Sequence, residues 1–328
     1  MAVETTIAGA YPKIGDTTEE QKLRRALHQF DKEEITEEDL EEVKNTVTEE
    51  VIRQQIEAGL DIVTDGLIRW SDPLTYLAGR ISGFEISGLI RYFDTNTFYR
   101  QPIAESRLEF VKPTLLPDYQ FAQERSSKPV RAILTGPYTL SKLTRNRFYR
   151  EFKQLAFDLA HIIHREAEAL EEAGCRYIQF DEPAILNHKQ DMPLFLKIYE
   201  IVTAQLSKAE KTLQLNFGSL DGIYPKILGV NVERIGLELT KGHKNWDVLK
   251  TGQCTKKMMA GIVDTRNTKM ESDSDLSHAV HQLGEHINID HLWLSTSHSL
   301  EFLPRVNARK KAELLSQVAK QLRGASVS

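Results

Sequence analysis

The stretch CRYIQFDEPAIL, residues 175–186, reads as an apolar strand that ends on two adjacent carboxylates, Asp181 and Glu182, and a proline that stops it. Ahead of it lies FKQLAFDLAHIIHREAEALEEAG, residues 152–174, whose apolar residues recur three or four apart until Gly174 ends the run. A helix feeding a buried strand is part of a βαβ unit, and the same alternation recurs along the chain. Strand candidates fall at 4–8, 60–64, 130–134, 175–180, 212–216, 234–239, 257–263 and 291–295. Units of this kind predict an α/β fold, a (β/α)8 TIM barrel. The final helix, 308–322, fits barrel closure better than a sandwich or a doubly wound sheet.

A length of 328 residues suits one such barrel, so residues 1–328 are expected to form a single domain. Residues 67–128 are too long for an ordinary βα loop and predict an extra hairpin after strand 2, lying over the barrel mouth. The net charge of −5 is modest and its signs are mixed, which argues against nucleic acid as a partner. No stretch reaches the roughly 18 uncharged apolar residues a membrane span needs, and the first residues carry no signal core, so a cytoplasmic location is expected. The two cysteines, Cys175 and Cys254, form neither a disulfide framework nor a CxxC motif.

Ligands of such barrels bind where the strands end at their C-terminal side. Those ends carry Ala10 and Tyr11, Asp65, Thr135, Asp181 and Glu182, Asn216, Glu238, Arg266 and His298. Adjacent strand residues face opposite ways, so only one of Asp181 and Glu182 can face the mouth. Asp181 is the functional choice, against a carboxylate that caps a loop. Glu238 closes an apolar strand and needs a cation, a donor or solvent; a plain salt bridge would satisfy it equally. His298 by itself reads as either a loop hydrogen bonder or a base. The pairs His161/His164 and His278/His281 have ligand spacing but sit on outer helices, where exposure is expected. RNRFYR, residues 145–150, suits anion contact or a solvated face.

GAYPKIG (9–15), AGLDIVTDG (58–66), LTGPYTL (134–140), IQFDEPAIL (178–186), AGIVDTRNTKMES (260–272) and HLWLSTSHSLEFLP (291–304) occur in the order of one family. Across nearly its whole length the chain resembles the cobalamin-independent methionine synthase superfamily. The full-length family enzyme has two related barrels, a C-terminal one holding zinc and homocysteine and an N-terminal one without the metal. FDTNTFYRQP (93–102), GAYPKIG and SHSLEFLP are closer to the latter. The resemblance aligns the zinc positions with Gln214, Asn216, Glu238 and His298, so two amides stand where a histidine and a cysteine are needed. Zinc is therefore not expected in stoichiometric amount; if present, it would use Glu238 and His298. The family's acid after Gly66 is replaced by Leu67, whereas its amino-group anchor is retained as Asp181. Lys22, Arg24 and Arg25 resemble the residues that take a polyglutamyl folate tail.

Two functions follow from the resemblance. One is a methyltransferase of methionine biosynthesis, moving a methyl group from a folate or methylcorrinoid to a small thiol such as homocysteine. Asp181, Glu238 and His298 would be catalytic there, with Ala10, Tyr11, Asp65, Thr135, Asn216 and Arg266 around the substrate. The other is a non-catalytic folate-binding or assembly barrel, equivalent to a detached N-terminal half and partnered by a separately encoded zinc-bearing barrel. A lyase or decarboxylase on a related barrel is a weaker third reading.

Overall fold

A computed structural model describes residues 3–324. Its strands are β1 (Glu4–Thr5), β2 (Ser82–Arg91), β3 (Phe98–Glu109), β4 (Arg131–Thr135), β5 (Arg145–Asn146), β6 (Tyr177–Asp181), β7 (Glu210–Leu215), β8 (Arg234–Glu238), β9 (Lys257–Val263) and β10 (Trp293–Thr296). Seven form one curled parallel sheet in the order β1-β10-β9-β8-β7-β6-β4. Residues 61–64 join its two edges. The Thr5 carbonyl accepts from the Asp61 and Ile62 amides at 3.1 Å, while Val63 bridges to Val130 and its carbonyl accepts from the Arg131 amide at 2.8 Å. The mixed α/β barrel expected from the alternation is the fold observed.

The strand expected at 60–64 is reduced to a single bridge, because the Asp61 carboxylate does part of the pairing. It accepts from the Thr5 amide and hydroxyl, each at 2.9 Å, and from Arg323. The last strand begins at Trp293 instead of 291, since His291 has left-handed backbone (φ 70°) and its carbonyl accepts from Arg234. Other ends shift by a few residues, as expected of boundaries read from pattern alone.

Inside the barrel, Trp293 is fully buried, with the Arg234 guanidinium 3.6 Å from its ring centroid and Tyr177 edge-on at 5.0 Å. Arg234 is neutralised by Glu210 at 2.8 Å, which makes burial of this charge tolerable. A far larger apolar core lies between sheet and helices and includes Leu155, Leu159 and Ile163 of the helix Phe152–Glu172. No helix among the described residues is long and apolar enough to cross a membrane.

Strands β2 and β3 pair antiparallel, and β5 extends them by a parallel pair with β3. This is the hairpin predicted after the second strand. Its turn carries Tyr92, Phe93 and Thr97, of which Tyr92 and Thr97 line the same cavity as Asp181. The return of the hairpin is tied down by buried Glu166, whose carboxylate accepts from the Thr114 and Leu115 amides.

Candidate functional site

Strand ends stand level across the sheet, Thr135 beside Asp181 and Asp181 beside Gln214. At the DEP corner the two carboxylates part, as strand alternation requires. Glu182 turns outward and is fully buried, accepting from the Tyr138 amide at 3.0 Å, the Thr139 amide at 2.7 Å and the Tyr199 hydroxyl at 3.2 Å. It thus caps the N-terminus of the helix Pro137–Leu143. Gly136 makes room for it, because a Cβ there would lie 2.2 Å from the Glu182 carboxyl carbon. The capping role weighed for Asp181 belongs to its neighbour.

Asp181 turns inward and lines a mouth cavity of about 70 Å³. Gln179, two residues below on the same face, donates to Oδ1 at 2.6 Å and to the Ala8 carbonyl at 2.7 Å. Among the described residues, no cation stands within ion-pair distance of Asp181. Burial pushes its carboxyl up to about 7, opposed by Gln179 and the buried Arg131. Around it stand Trp70, Tyr92 and Phe217, the carboxylates Asp72 and Glu301, and Lys13. Asp72 is structural: it accepts from the amides of Leu74, Thr75 and Arg100. Lys13 donates to the Trp70 carbonyl and lies 3.9 Å from Glu301.

Glu238 and His298 form a second cluster at the same end of the barrel. His298 Nε2 and His243 Nε2 stand 3.1 and 3.5 Å from Glu238 Oε2, and Arg266 Nη2 stands 3.0 Å from Oε1. Burial raises Glu238 to about 7, with Arg266 opposing, and lowers His298 to about 3, leaving the imidazole neutral at ordinary pH. Despite the nearness of Glu238 to Nε2, neither ring nitrogen of His298 makes a hydrogen bond, and buried Asn216 Oδ1 and Gln214 Oε1 make none either.

Zinc does not fit this donor set. Its four aligned positions hold two amides, one carboxylate and one imidazole, and the carboxylate already carries a guanidinium. His243 also approaches Glu238, yet the two imidazoles and the carboxylate do not form a metal-holding group among the described residues, and Arg266 occupies the other carboxylate oxygen.

Several residues proposed from the sequence lie together, and others do not. Ala10, Thr135, Asn216 and Asp181 share the mouth cavity. Glu238 and His298 share its end of the barrel but not its wall, because the Phe217 ring lies over the imidazole at 4.6 Å. Arg266 faces a separate groove of about 480 Å³ beside Thr240, His243 and Trp246. Asp65 lines a cavity of about 20 Å³ with Asp118 and Arg131, its Oδ1 accepting from the Leu67 amide. Tyr11 is fully buried. Lys22 is paired with Glu50, Arg25 donates to the Thr18 carbonyl, and Arg24 is exposed. His164 Nδ1 stands 3.1 Å from the Val202 carbonyl, and His161 is exposed. Gln179, Phe217, Tyr92 and His243 were missed. The first two follow from period-2 counting and from adjacency to Asn216, whereas nothing local announces the approach of Tyr92 or His243.

A family model described as "Cobalamin-independent synthase, Catalytic domain" matches residues 3–321. A curated methionine synthase of Sulfurisphaera tokodaii is 30% identical over 317 residues, covering 94% of this chain and 88% of the relative. One of Saccharolobus solfataricus is 29% identical over 321 residues, 97% and 94% of the two chains. Among solved structures, a B12-independent methionine synthase from Shewanella in complex with selenomethionine superposes with a TM-score of 0.86 at 21% identity, covering 100% and 99% of the chains. A methyltransferase from Methanosarcina mazei gives 0.59 at 13% identity, covering 97% and 94%. At these identities the structures speak for the fold.

Proposed function

The chain belongs to the cobalamin-independent methionine synthase family, and from that premise we propose that it serves methyl transfer to the sulfur of a small amino-acid thiol such as homocysteine. The observation that carries this reading is Asp181, an inward-facing carboxylate with no cation within ion-pair distance among the described residues, at the mouth of a cavity walled by aromatic and polar groups. A buried carboxylate waits for a positive partner, and the ammonium of an α-amino acid supplies one. Gln179 fixes the orientation of that carboxylate, and Lys13 is placed to meet the acid's carboxylate. A folate or methylcorrinoid would be the methyl donor. Arg24, with Lys22 and Arg25 beside it, is the proposed contact for a polyglutamyl tail.

A second reading rests on Arg266. Because its guanidinium holds Glu238, and amides occupy two further positions, this cluster offers a thiol no metal to lower its pKa. It would then be a non-catalytic folate-binding or assembly barrel working with a zinc-bearing barrel encoded elsewhere. The test is methionine formation, read by mass spectrometry, from homocysteine and either methyltetrahydrofolate polyglutamate or methylcobalamin. Turnover by the purified chain supports the first reading. Turnover only after adding a zinc-bearing homologous barrel supports the second.

A further inference from the structure

Phe217, in the loop after β7, is a packed barrier between two parts of the barrel end. On one side is the mouth cavity with Asp181, which Phe217 lines. On the other are Gln214 Oε1 and both ring nitrogens of His298, buried without hydrogen-bond partners, and the Glu238 carboxylate. Buried polar groups without partners are costly, so a rearrangement that brings water or a ligand to them recovers part of its own cost. The ring itself is taken up by its neighbours: His298 lies at 4.6 Å, Phe93 stacks at 5.8 Å and Tyr92 meets it edge-on at 5.9 Å. A ligand in the cavity finds no way past Phe217 while the ring keeps these contacts.

Tertiary contact holds the ring there, against the preference of its own backbone. Phe217 and Phe93 are both left-handed, φ 63° and 49°, a conformation that bulky residues keep only where their surroundings enforce it. Tyr92 and Phe93 belong to the turn between β2 and β3, so the latch is made between segments far apart in the chain. Both phenylalanines are half-buried, which leaves solvent on one side for the pair to move into. We propose that Phe217 is a gate and thereby a specificity-determining residue: a ligand side chain that runs beyond it must displace the ring from Phe93, and one that stops short need not. The gate rests on these contacts; that amino-acid side chains are what it sorts rests on the reading of Asp181 as the ammonium anchor.

The test has two arms, both on the full chain. The first uses no ligand and follows carbethoxylation of histidines by diethyl pyrocarbonate, peptide by peptide, in a mass spectrometer. Relative to exposed His161 in the same sample, His298 is expected to react about tenfold faster in Phe217→Ala, and faster also in Phe93→Ala, which leaves Phe217 in place. Half-buried His164, on an outer helix, should keep its rate, which shows that the fold is intact. An unchanged His298 rate in either variant overturns the gate. The second arm is calorimetric titration with L-alanine, whose methyl group is short, and with L-homocysteine under reductant, whose side chain runs farther. Opening the gate taxes only the longer ligand, so Phe217→Ala is expected to tighten homocysteine about threefold or more relative to alanine. A level or inverted ratio overturns the sorting role. Failure of both amino acids to bind refutes the reading of Asp181 instead, and the carbethoxylation rates still decide the gate.

Discussion

Asp181 and Glu182 are neighbours with opposite tasks, and substitution should separate them. Burial raises Asp181 to about 7, so the folded chain keeps a proton that the unfolded chain releases near pH 4. The folded state binds more protons across that window, and stability is lost as pH rises from about 4 to about 7. Asp181→Asn removes that loss. It is expected to melt at least roughly 2 °C higher relative to the natural chain at pH 7.5 than at pH 4.5, while amino-acid binding weakens tenfold or more. Parallel melting curves with unchanged affinity would remove Asp181 from the site. A second expectation concerns metal. Purified without added metal or chelator, the protein should carry well under one equivalent of zinc, since Glu238 and His298 are the two good ligands at the aligned positions and Arg266 neutralises the first. Stoichiometric zinc that disappears in Glu238→Ala or His298→Ala would restore a metal-activated thiol.

The capped helix Pro137–Leu143 depends on a glycine that sequence reading passes over. At Gly136 a methyl group would collide with the carboxyl of Glu182 and push it from the Tyr138 and Thr139 amides. Gly136→Ala is therefore expected to cost about 2–4 kcal/mol, read by denaturant unfolding, because buried donors and a buried carboxylate lose one another. Glu182→Gln keeps acceptor geometry at one oxygen and should cost less. If Gly136→Ala proves the milder of the two, Glu182 is not what holds this corner. The hairpin is the other element that matters to the site, since it delivers Tyr92 and Phe93 onto Phe217 from far along the chain.

At the scale of the whole molecule, one side chain reinforces the backbone bonds that close the barrel. Asp61 takes hydrogen bonds from the Thr5 amide and hydroxyl and an ion pair from Arg323, linking the first strand, the bridging segment and the last helix. Asp61→Ala should lower stability by about 1–3 kcal/mol without altering ligand affinity, because these contacts lie at the opposite end of the barrel from Asp181. A large loss of affinity in a variant of near-normal stability would contradict that separation of faces.

The sequence by itself determined the alternation of strand and helix, and therefore the barrel, because apolar periodicity is a local property. It also determined that the polar residues ending β6 and β8 would stand at the same end of the barrel, since parallel strands end on the same side, and that one of Asp181 and Glu182 must face inward. Motif order carried the family. Only the tertiary structure decided which cation meets which carboxylate. Arg266 reaches Glu238 from the loop after β9 and His243 from the loop after β8, pairings set by how loops fold back and not by spacing. It also decided that Phe217, in a backbone conformation no local pattern favours, stands between Asp181 and His298. That conformation exists because a hairpin more than a hundred residues earlier packs its aromatic turn against the ring, and packing between distant segments leaves no periodic trace in the chain.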